Sequence, residues 1–517
     1  MKYVFKTLPR EYQKQALQFL IKNRGVGALL MDPGLGKTKV TIDYLGMVAA
    51  KRGRLKALVS APLSALDTWS DELATHLGWY RDDEGIEHDI PTRVFVINDG
   101  SILDKAQFFK DLDDEFDGLT IVIINHDAFK YRHKVPGLKT VTVRDRIIDG
   151  VIKHWCPDIY VVDELHRMKT HTSNLSTASA KIADHCFMRI GLTGTVAPHS
   201  PLDFFGQWRT INSSIFPKKW DDFRYYYAIY GGWEGRQVIG FYKPRMMEMK
   251  QKIAQTAFVV KKHTALDLPK VTDILVKVEL GPERAYYLEM GKELMVELPS
   301  GRQSISSNTL TKMLRLRQIT GGVVGYREVV GTKADGTPKE STRTEDIGSS
   351  KLDRLMGKVS NIVEAEEKQV IFAHFRRDVA RIVEACEKEF NTPTKTNVPV
   401  YSITGDTKTK NRVTQRKDFY SYKGPAIFVA QMRTVSLAIN EFVVASYGHF
   451  YSYSQLRDDF IQARDRLDRS GQTKPVTFYH YIVPKSIDET ILESHKEKGK
   501  LEAAVTKKAR AILTLGE

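Results

Sequence analysis

"VGALLMDPGLGKTKVTIDYLGMVAAK" (residues 26–51) decides how this chain folds. A short apolar run ends in a glycine-containing loop, and a helical pattern begins directly behind it. Strand, glycine loop and helix in that order are the context of a phosphate-binding loop. Gly34 and Gly36 let backbone N–H groups close around a phosphate with no Cβ in the way. Lys37 supplies a charge to terminal phosphates, the Thr38 hydroxyl is a ligand for Mg²⁺, and the helix N-terminus adds its partial positive charge. The strict GxxxxGK[ST] pattern fails at its first position, where Met31 stands. A glycine turn that merely caps an amphipathic helix is the plain alternative, and the strand before the loop argues against it.

Further runs of the same kind follow: "KALVSAP" (56–62), "RVFVIN" (93–98), "TIVIIN" (120–125), "IYVVDE" (159–164) and "MRIGLTGT" (188–195). Helical patterns fall between some of them, which predicts an α/β fold with a parallel sheet covered on both faces. After about residue 200 the pattern changes to an aromatic-rich stretch, and "GTKADGTPKESTRTEDIGSSK" (331–351) reads as a loop, a flexible hairpin or a linker. Strands return at "QVIFAHF" (369–375), "PVYSIT" (399–404), "PAIFVA" (425–430) and "VTFYHYIV" (476–483), so a second α/β domain starts near 350.

Length and composition agree with two or more domains. The 517 residues exceed one ordinary core, and 42% hydrophobic with 27% charged residues is a soluble globular balance. A net charge of +15 favours an anionic partner such as nucleic acid or an acidic membrane surface. The three cysteines stand far apart, which excludes a disulfide framework and favours a reducing cytosol. There is no signal-peptide pattern and no apolar run near the ~20 residues of a membrane span.

"VVDELHRMK" (161–169) supplies the other half of a phosphate site. A buried strand that ends in Asp163 and Glu164 places two carboxylates beside the phosphates. One holds Mg²⁺ through water, and the other orients or deprotonates an attacking water. Read alone, the pair would be an acidic N-cap; beside the phosphate loop, the catalytic reading is preferred.

"DPGLGKT", "DELH" (163–166), "LTGT" (192–195) and "QARDRLDRSGQ" (462–472) occur in the order of the superfamily II helicase motifs, and the chain resembles a Swi/Snf-type ATPase of that superfamily. "LPREYQKQALQFL" (8–20), "SAPLSALDTWSDEL" (60–73), "INHDAF" (124–129), "LRLRQITGG" (314–322), "KLDRL" (351–355), "VIFAHFRRDV" (370–379) and "ITGDT" (403–407) continue the likeness over nearly all of the chain. The resemblance implies two tandem RecA-like lobes with a helical insertion. The expected division is lobe 1 at 1–200, a helical protrusion and transition at 201–330, a linker at 331–350, lobe 2 at 351–490 and a basic helix at 491–517.

It also implies roles. ATP is expected on Arg10, Gln13, Pro33, Gly34, Leu35, Gly36, Lys37, Thr38 and Lys39, with Gln462 sensing the nucleotide or linking the lobes. Mg²⁺ falls to Thr38 and Asp163. Glu164 activates water, and Arg466 and Arg469, three apart on one helical face, converge on the transferring phosphoryl group as arginine fingers. Arg464 is expected to be structural or paired to an acidic neighbour. His166, Thr193, Gly194 and Thr195 are expected to couple the nucleotide to lobe closure. Ser60, Ser64, His126, His374, Thr404 and Arg433 are the candidate contacts to DNA phosphates, although such residues cap helices and turns equally well. Two departures stand out: Leu165 replaces a small residue, and Thr434 and Ser436 replace both glycines of the coupling motif.

The expected function is an ATP-dependent translocase on duplex or branched DNA, indifferent to sequence, monomeric and cytosolic. Fork remodelling, branch migration and protein displacement are its possible outcomes. The layout resembles compact bacterial or phage members of the family. The competing readings are a motor subunit of a restriction or defence system, and a nucleotide-gated DNA clamp with little turnover.

Overall fold

A computed structural model of the chain describes residues 2–98, 101–112, 115–130, 143–194, 200–235, 237–265, 268–306, 308–332, 337–391, 398–435, 440–469 and 471–497. It divides into two compact units, the first running to residue 266 and the second from 267 to 497.

The first unit is built on strands Val26–Met31 (β1), Leu55–Ala61 (β2), Thr92–Ile97 (β3), Leu119–Asn125 (β4), Ile159–Asp163 (β5), Met188–Thr193 (β6) and Ala257–Val260 (β7). They form one seven-stranded sheet in the order β7-β1-β6-β5-β2-β4-β3, and every pairing is parallel. A parallel sheet is covered on both faces, so its central strands are apolar throughout rather than alternating. Successive residues of β5 illustrate this. Tyr160 and Val162 enter one buried cluster, and Ile159 and Val161 enter the other. Helix Glu11–Lys22 (α1) precedes β1, and helix Lys37–Arg52 (α2) follows it.

The aromatic stretch after residue 200 packs on this sheet. Phe204, Phe205, Trp208, Phe216, Phe223 and Tyr227 share one buried cluster with Ala28, Tyr160 and Val162. The expected protrusion and transition at 201–330 is shared between the two units. Its first part belongs to the core of unit 1, where β7 joins the sheet edge, and the remainder lies in unit 2.

The second unit carries strands Val271–Lys277 (β8), Gln369–Ala373 (β9), Val400–Ile403 (β10), Ile427–Gln431 (β11), Tyr447–Phe450 (β12) and Val476–Ile482 (β13). Their order is β8-β13-β12-β9-β11-β10, again parallel throughout. Unit 2 thus begins with β8, far ahead of residue 350. Of the readings given for 331–351, a loop, a flexible hairpin or a linker, the strand pairing shows a hairpin. Strands Val323–Thr332 and Pro338–Asp346 pair antiparallel as a hairpin, and Val324, Tyr326 and Ile347 pack with Met290, Val296 and Ile319. The outer hairpin stays polar because its side chains pair across it, Arg327 with Glu340 and Arg343 with Glu328. A helix covers 487–497, and the rest of the expected basic helix lies outside the described residues. Among the described residues no helix is long and apolar enough to cross a membrane.

Candidate active site

In the parallel sheet the carboxyl ends of β1, β6 and β5 are neighbours, and the motif residues sit there. The loop after β1 turns through two left-handed glycines, Gly34 (φ 82°) and Gly36 (φ 76°), the second being the N-cap of α2. A side chain at Gly36 would also be strained sterically, because its Cβ would fall 2.5 Å from Gln13 Nε2. Gln13 instead bridges α1 and the loop: its Nε2 donates to Leu35 O at 3.2 Å, and its Oε1 accepts from Arg10 N at 2.9 Å. Arg10 is exposed at the head of α1, and Leu35 is buried. Lys37 Nζ folds back on the loop, donating to Met31 O (2.8 Å) and Asp32 O (3.4 Å), and Thr38 is half-buried in the first turn of α2. Pro33 packs on the next strand end, where a Cβ on Gly194 would lie 2.9 Å from its ring.

Lys39 does not join this group. It is 6% exposed, and its Nζ donates to Asp43 one turn along α2 at 2.6 Å. The helix period carries it away from the loop and into the unit's interior.

At the end of β5, Asp163 is held on both oxygens, Oδ2 by Trp69 Nε1 (3.0 Å) and Oδ1 by Glu164 N (2.9 Å). Burial and the neighbouring Glu164 charge raise its pKa above the ordinary carboxylate range. Burial also works against the Glu164 charge, but the hydrogen bond and charge of His166, with Lys37 and Arg167, outweigh it and keep that carboxylate ionised. Lys37 acts on both carboxylates, so phosphate loop and acidic pair share one field. Glu164 has a left-handed backbone (φ 52°, ψ 54°), which costs a non-glycine residue about 1–2 kcal/mol and points to a position set by more than local preference.

His166 Nδ1 lies 3.1 Å from Glu164 Oε2 and 3.2 Å from Thr193 Oγ1, so it joins the acidic pair to the end of β6. Thr195 lies outside the described residues. Leu165 is fully buried, and Gly191 makes room for it: a Cβ there would fall 2.6 Å from the Leu165 methyl. The departure at 165 is absorbed by packing. Among the described residues no cluster of three histidine, cysteine or carboxylate groups offers a ready-made metal site. Thr38 and Asp163 carry oxygen donors of the kind Mg²⁺ prefers.

Ser60 and His126 are not surface residues. Both are 0% exposed: Ser60 Oγ donates to His126 Nδ1 (2.7 Å), and His126 Nε2 donates to Asp163 O (2.9 Å). Burial and the nearby Arg167 lower the histidine pKa to about 3, so the ring is neutral. These residues form a relay that fixes the end of β5, and they cannot touch DNA phosphates. Trp69, which no motif singled out, joins the same support.

In unit 2 the arginine segment departs from expectation. The α-helix Arg457–Arg464 ends before Arg466, and the chain continues in tight turns, with Arg466 N bonded to Ala463 O and Leu467 N to Arg464 O. Arg466 and Arg469 are therefore not neighbours on a helical face. Arg466 Nε donates to Val435 O (3.0 Å) and Arg469 Nη1 to Asn440 Oδ1 (2.5 Å), one on each side of residues 436–439 in sequence. Both partners lie in 433–442, the segment expected to be the coupling motif. Thr434 sits there in right-handed 3-10 conformation with Oγ1 on Gln431 O (2.6 Å), which needs no glycine, and Ser436 lies outside the described residues. Arg464 pairs bidentately with Asp273 of β8, Nη2 to Oδ2 at 2.8 Å, as an arginine with an acidic partner should. Gln462 is half-buried on the preceding helix.

Of the remaining DNA candidates, the Ser64 side chain lies outside what is described. His374 is half-buried, and burial with Arg317 and Arg433 lowers its pKa to about 3. Thr404 N is bonded to Thr407 Oγ1 within its own turn. Arg433 is the open one, with a side chain 63% exposed and Asp459 at 3.7 Å.

The chain that carries this loop and acidic pair, on strands separated by β6, is matched by a family model described as the SNF2-related domain, over residues 12–321. The chain belongs to the SNF2-related domain family. Among relatives of this SNF2-related chain, the uncharacterized ATP-dependent helicase MG018 of Mycoplasma genitalium is 22% identical over 95% of the chain. The chain spans only 42% of that relative's length. Putative protein p41 of Acyrthosiphon pisum secondary endosymbiont phage 1 is also 22% identical, over 95% of the chain and 96% of the relative. Among solved structures, the SWI2/SNF2 ATPase core of Sulfolobus solfataricus in complex with dsDNA is 19% identical, with a TM-score of 0.40 over 100% of this chain and 96% of that one.

Proposed function

We propose that this SNF2-related chain hydrolyses ATP and uses the turnover to translocate on double-stranded or branched DNA. One observation carries the reading. Lys37 at the mouth of β1 acts electrostatically on Asp163 and Glu164 at the end of β5, so a cation for phosphates and two carboxylates meet at one sheet edge. In this reading Lys37 and the loop amides bind the triphosphate, and Thr38 and Asp163 hold Mg²⁺, whose chemistry is charge neutralisation on the phosphate oxygens. Glu164, kept ionised by His166, orients or deprotonates the attacking water. Arg469, with Arg466, stabilises charge on the transferring phosphoryl group, and their bonds to 435 and 440 tie that step to the coupling loop.

The DNA partner is supported by the +15 charge and by family membership. The decisive measurement is the ATPase rate without DNA and with single-stranded, duplex and forked DNA. Stimulation of at least about tenfold by duplex or forks is expected, and no response to any DNA sinks the translocase reading while leaving a basal ATPase.

A further inference from the structure

The phosphate loop opens with an acid. Asp32 follows directly on β1, and its carboxylate stands at the start of a loop built to receive a polyanion. That charge is answered by residues more than two hundred positions away. Lys261 Nζ donates to Asp32 Oδ1 at 2.9 Å, and Lys262 N donates to Asp32 Oδ2 at 2.9 Å. The backbone takes part as well, with Asp32 N donating to Val260 O at 3.1 Å. This continues the parallel ladder in which Val260 faces Met31. Lys261 and Asp32 are 31% and 20% exposed, so solvent screens the pair only in part.

We propose that Lys261 is a positioning residue of the nucleotide site, neutralising Asp32 and fixing the first residue of the phosphate loop against β7. The inference rests on the ATP reading above. Its chemistry is a competition. Lys37 Nζ already donates to Asp32 O. Without Lys261, the Asp32 carboxylate becomes an alternative partner for Lys37 and repels incoming phosphate. The staple also has a place in the chain: β7 ends only a few residues before the second unit begins at 267. The phosphate loop is thereby fastened to the segment through which the chain passes from one unit to the next.

The test uses the full chain with Lys261→Ala, Lys261→Arg, Asp32→Asn and the double variant Lys261→Ala/Asp32→Asn. Binding of a fluorescent ATP analogue, steady-state ATP hydrolysis and thermal midpoints are measured for each. Lys261→Ala is expected to raise the analogue's Kd and the KM for ATP about tenfold, with kcat within about twofold, and Lys261→Arg to stay near wild type. The double variant should recover most of the lost affinity, because removing the Asp32 charge removes the need for Lys261. Should Lys261→Ala not fold, Lys261→Met keeps the stem packed and replaces it. Unchanged affinity in Lys261→Ala overturns the proposal, as does a double variant no better than the single one. A wild-type chain that fails to bind the analogue overturns the ATP reading itself.

Discussion

Lys37 and Arg469 fail in different ways when removed, and the difference tests the assignment of each. Lys37→Ala should abolish both binding of a fluorescent ATP analogue and phosphate release, because the charge on the terminal phosphates is lost. Arg469→Ala should leave analogue binding within about threefold and lower hydrolysis by ~10²–10³, the scale of an arginine finger. Equal loss of both would reassign Arg469 to holding Asn440 and the loop around it. The candidate site residues are legible in local pattern, since a glycine loop, GKT and DE each carry their reason in adjacent positions. Their supports were not readable. Trp69 reaches Asp163 from the helix Leu66–His76 and His126 from a 3-10 turn, with Ser60 behind it, and no local spacing announces a hydrogen bond across 94 or 37 positions. In sequence, Ser60 and His126 look like surface contacts, as polar residues at strand ends do; the structure buries both.

At the scale of elements, the second sheet contains a buried acid that invites a pH test. Asp378, in the helix after β9, is fully buried, and its Oδ2 accepts from Ser452 Oγ at 2.6 Å. Burial raises its pKa to about 7, against the partial relief of Ser452, Lys351 and Arg381. Its folded pKa thus lies above the unfolded carboxylate value of about 3.9. The protonated form contributes stability that is fully present below about pH 4 and lost as pH rises through about 7. Asp378→Asn should therefore stabilise the protein at pH 8 by on the order of 2 kcal/mol and change little at pH 4, as read by chemical denaturation at both values. An equal effect at both pH values would mean that packing, not ionisation, sets the cost. The ten quoted apolar runs all became strands within a residue or two, because strands buried on both faces cannot hide polar residues. In the two large sheets, β7, β8 and β12 correspond to none of these runs. β7 and β8 are edge strands from the segment expected to be a protrusion and transition, and β12 ("YGHF") is short and holds a glycine.

For the whole molecule, the charge balance makes the remaining prediction. If the DNA partner is held by its phosphates, the DNA concentration for half-maximal ATPase stimulation should rise steeply with salt. The logarithmic plot should be linear, and unrelated duplex sequences should superimpose. Arg433→Ala, at the most open of the candidate contacts, should reduce the salt slope by about one without changing the basal rate. A slope near zero would instead place recognition on bases or on DNA shape. Sequence alone determined the fold class, the glycine loop after β1, the acidic pair after β5 and the family, because each is written in contiguous residues whose period or spacing reflects one element and its end. Tertiary structure decided the division of the chain after 266, the turns that carry Arg466 to Val435 and Arg469 to Asn440, and the burial of Lys39, Ser60 and His126. It also showed the Lys261 staple on Asp32. These are matters of which distant segments pair and which side chains lose water, and they are settled only when the sheets assemble.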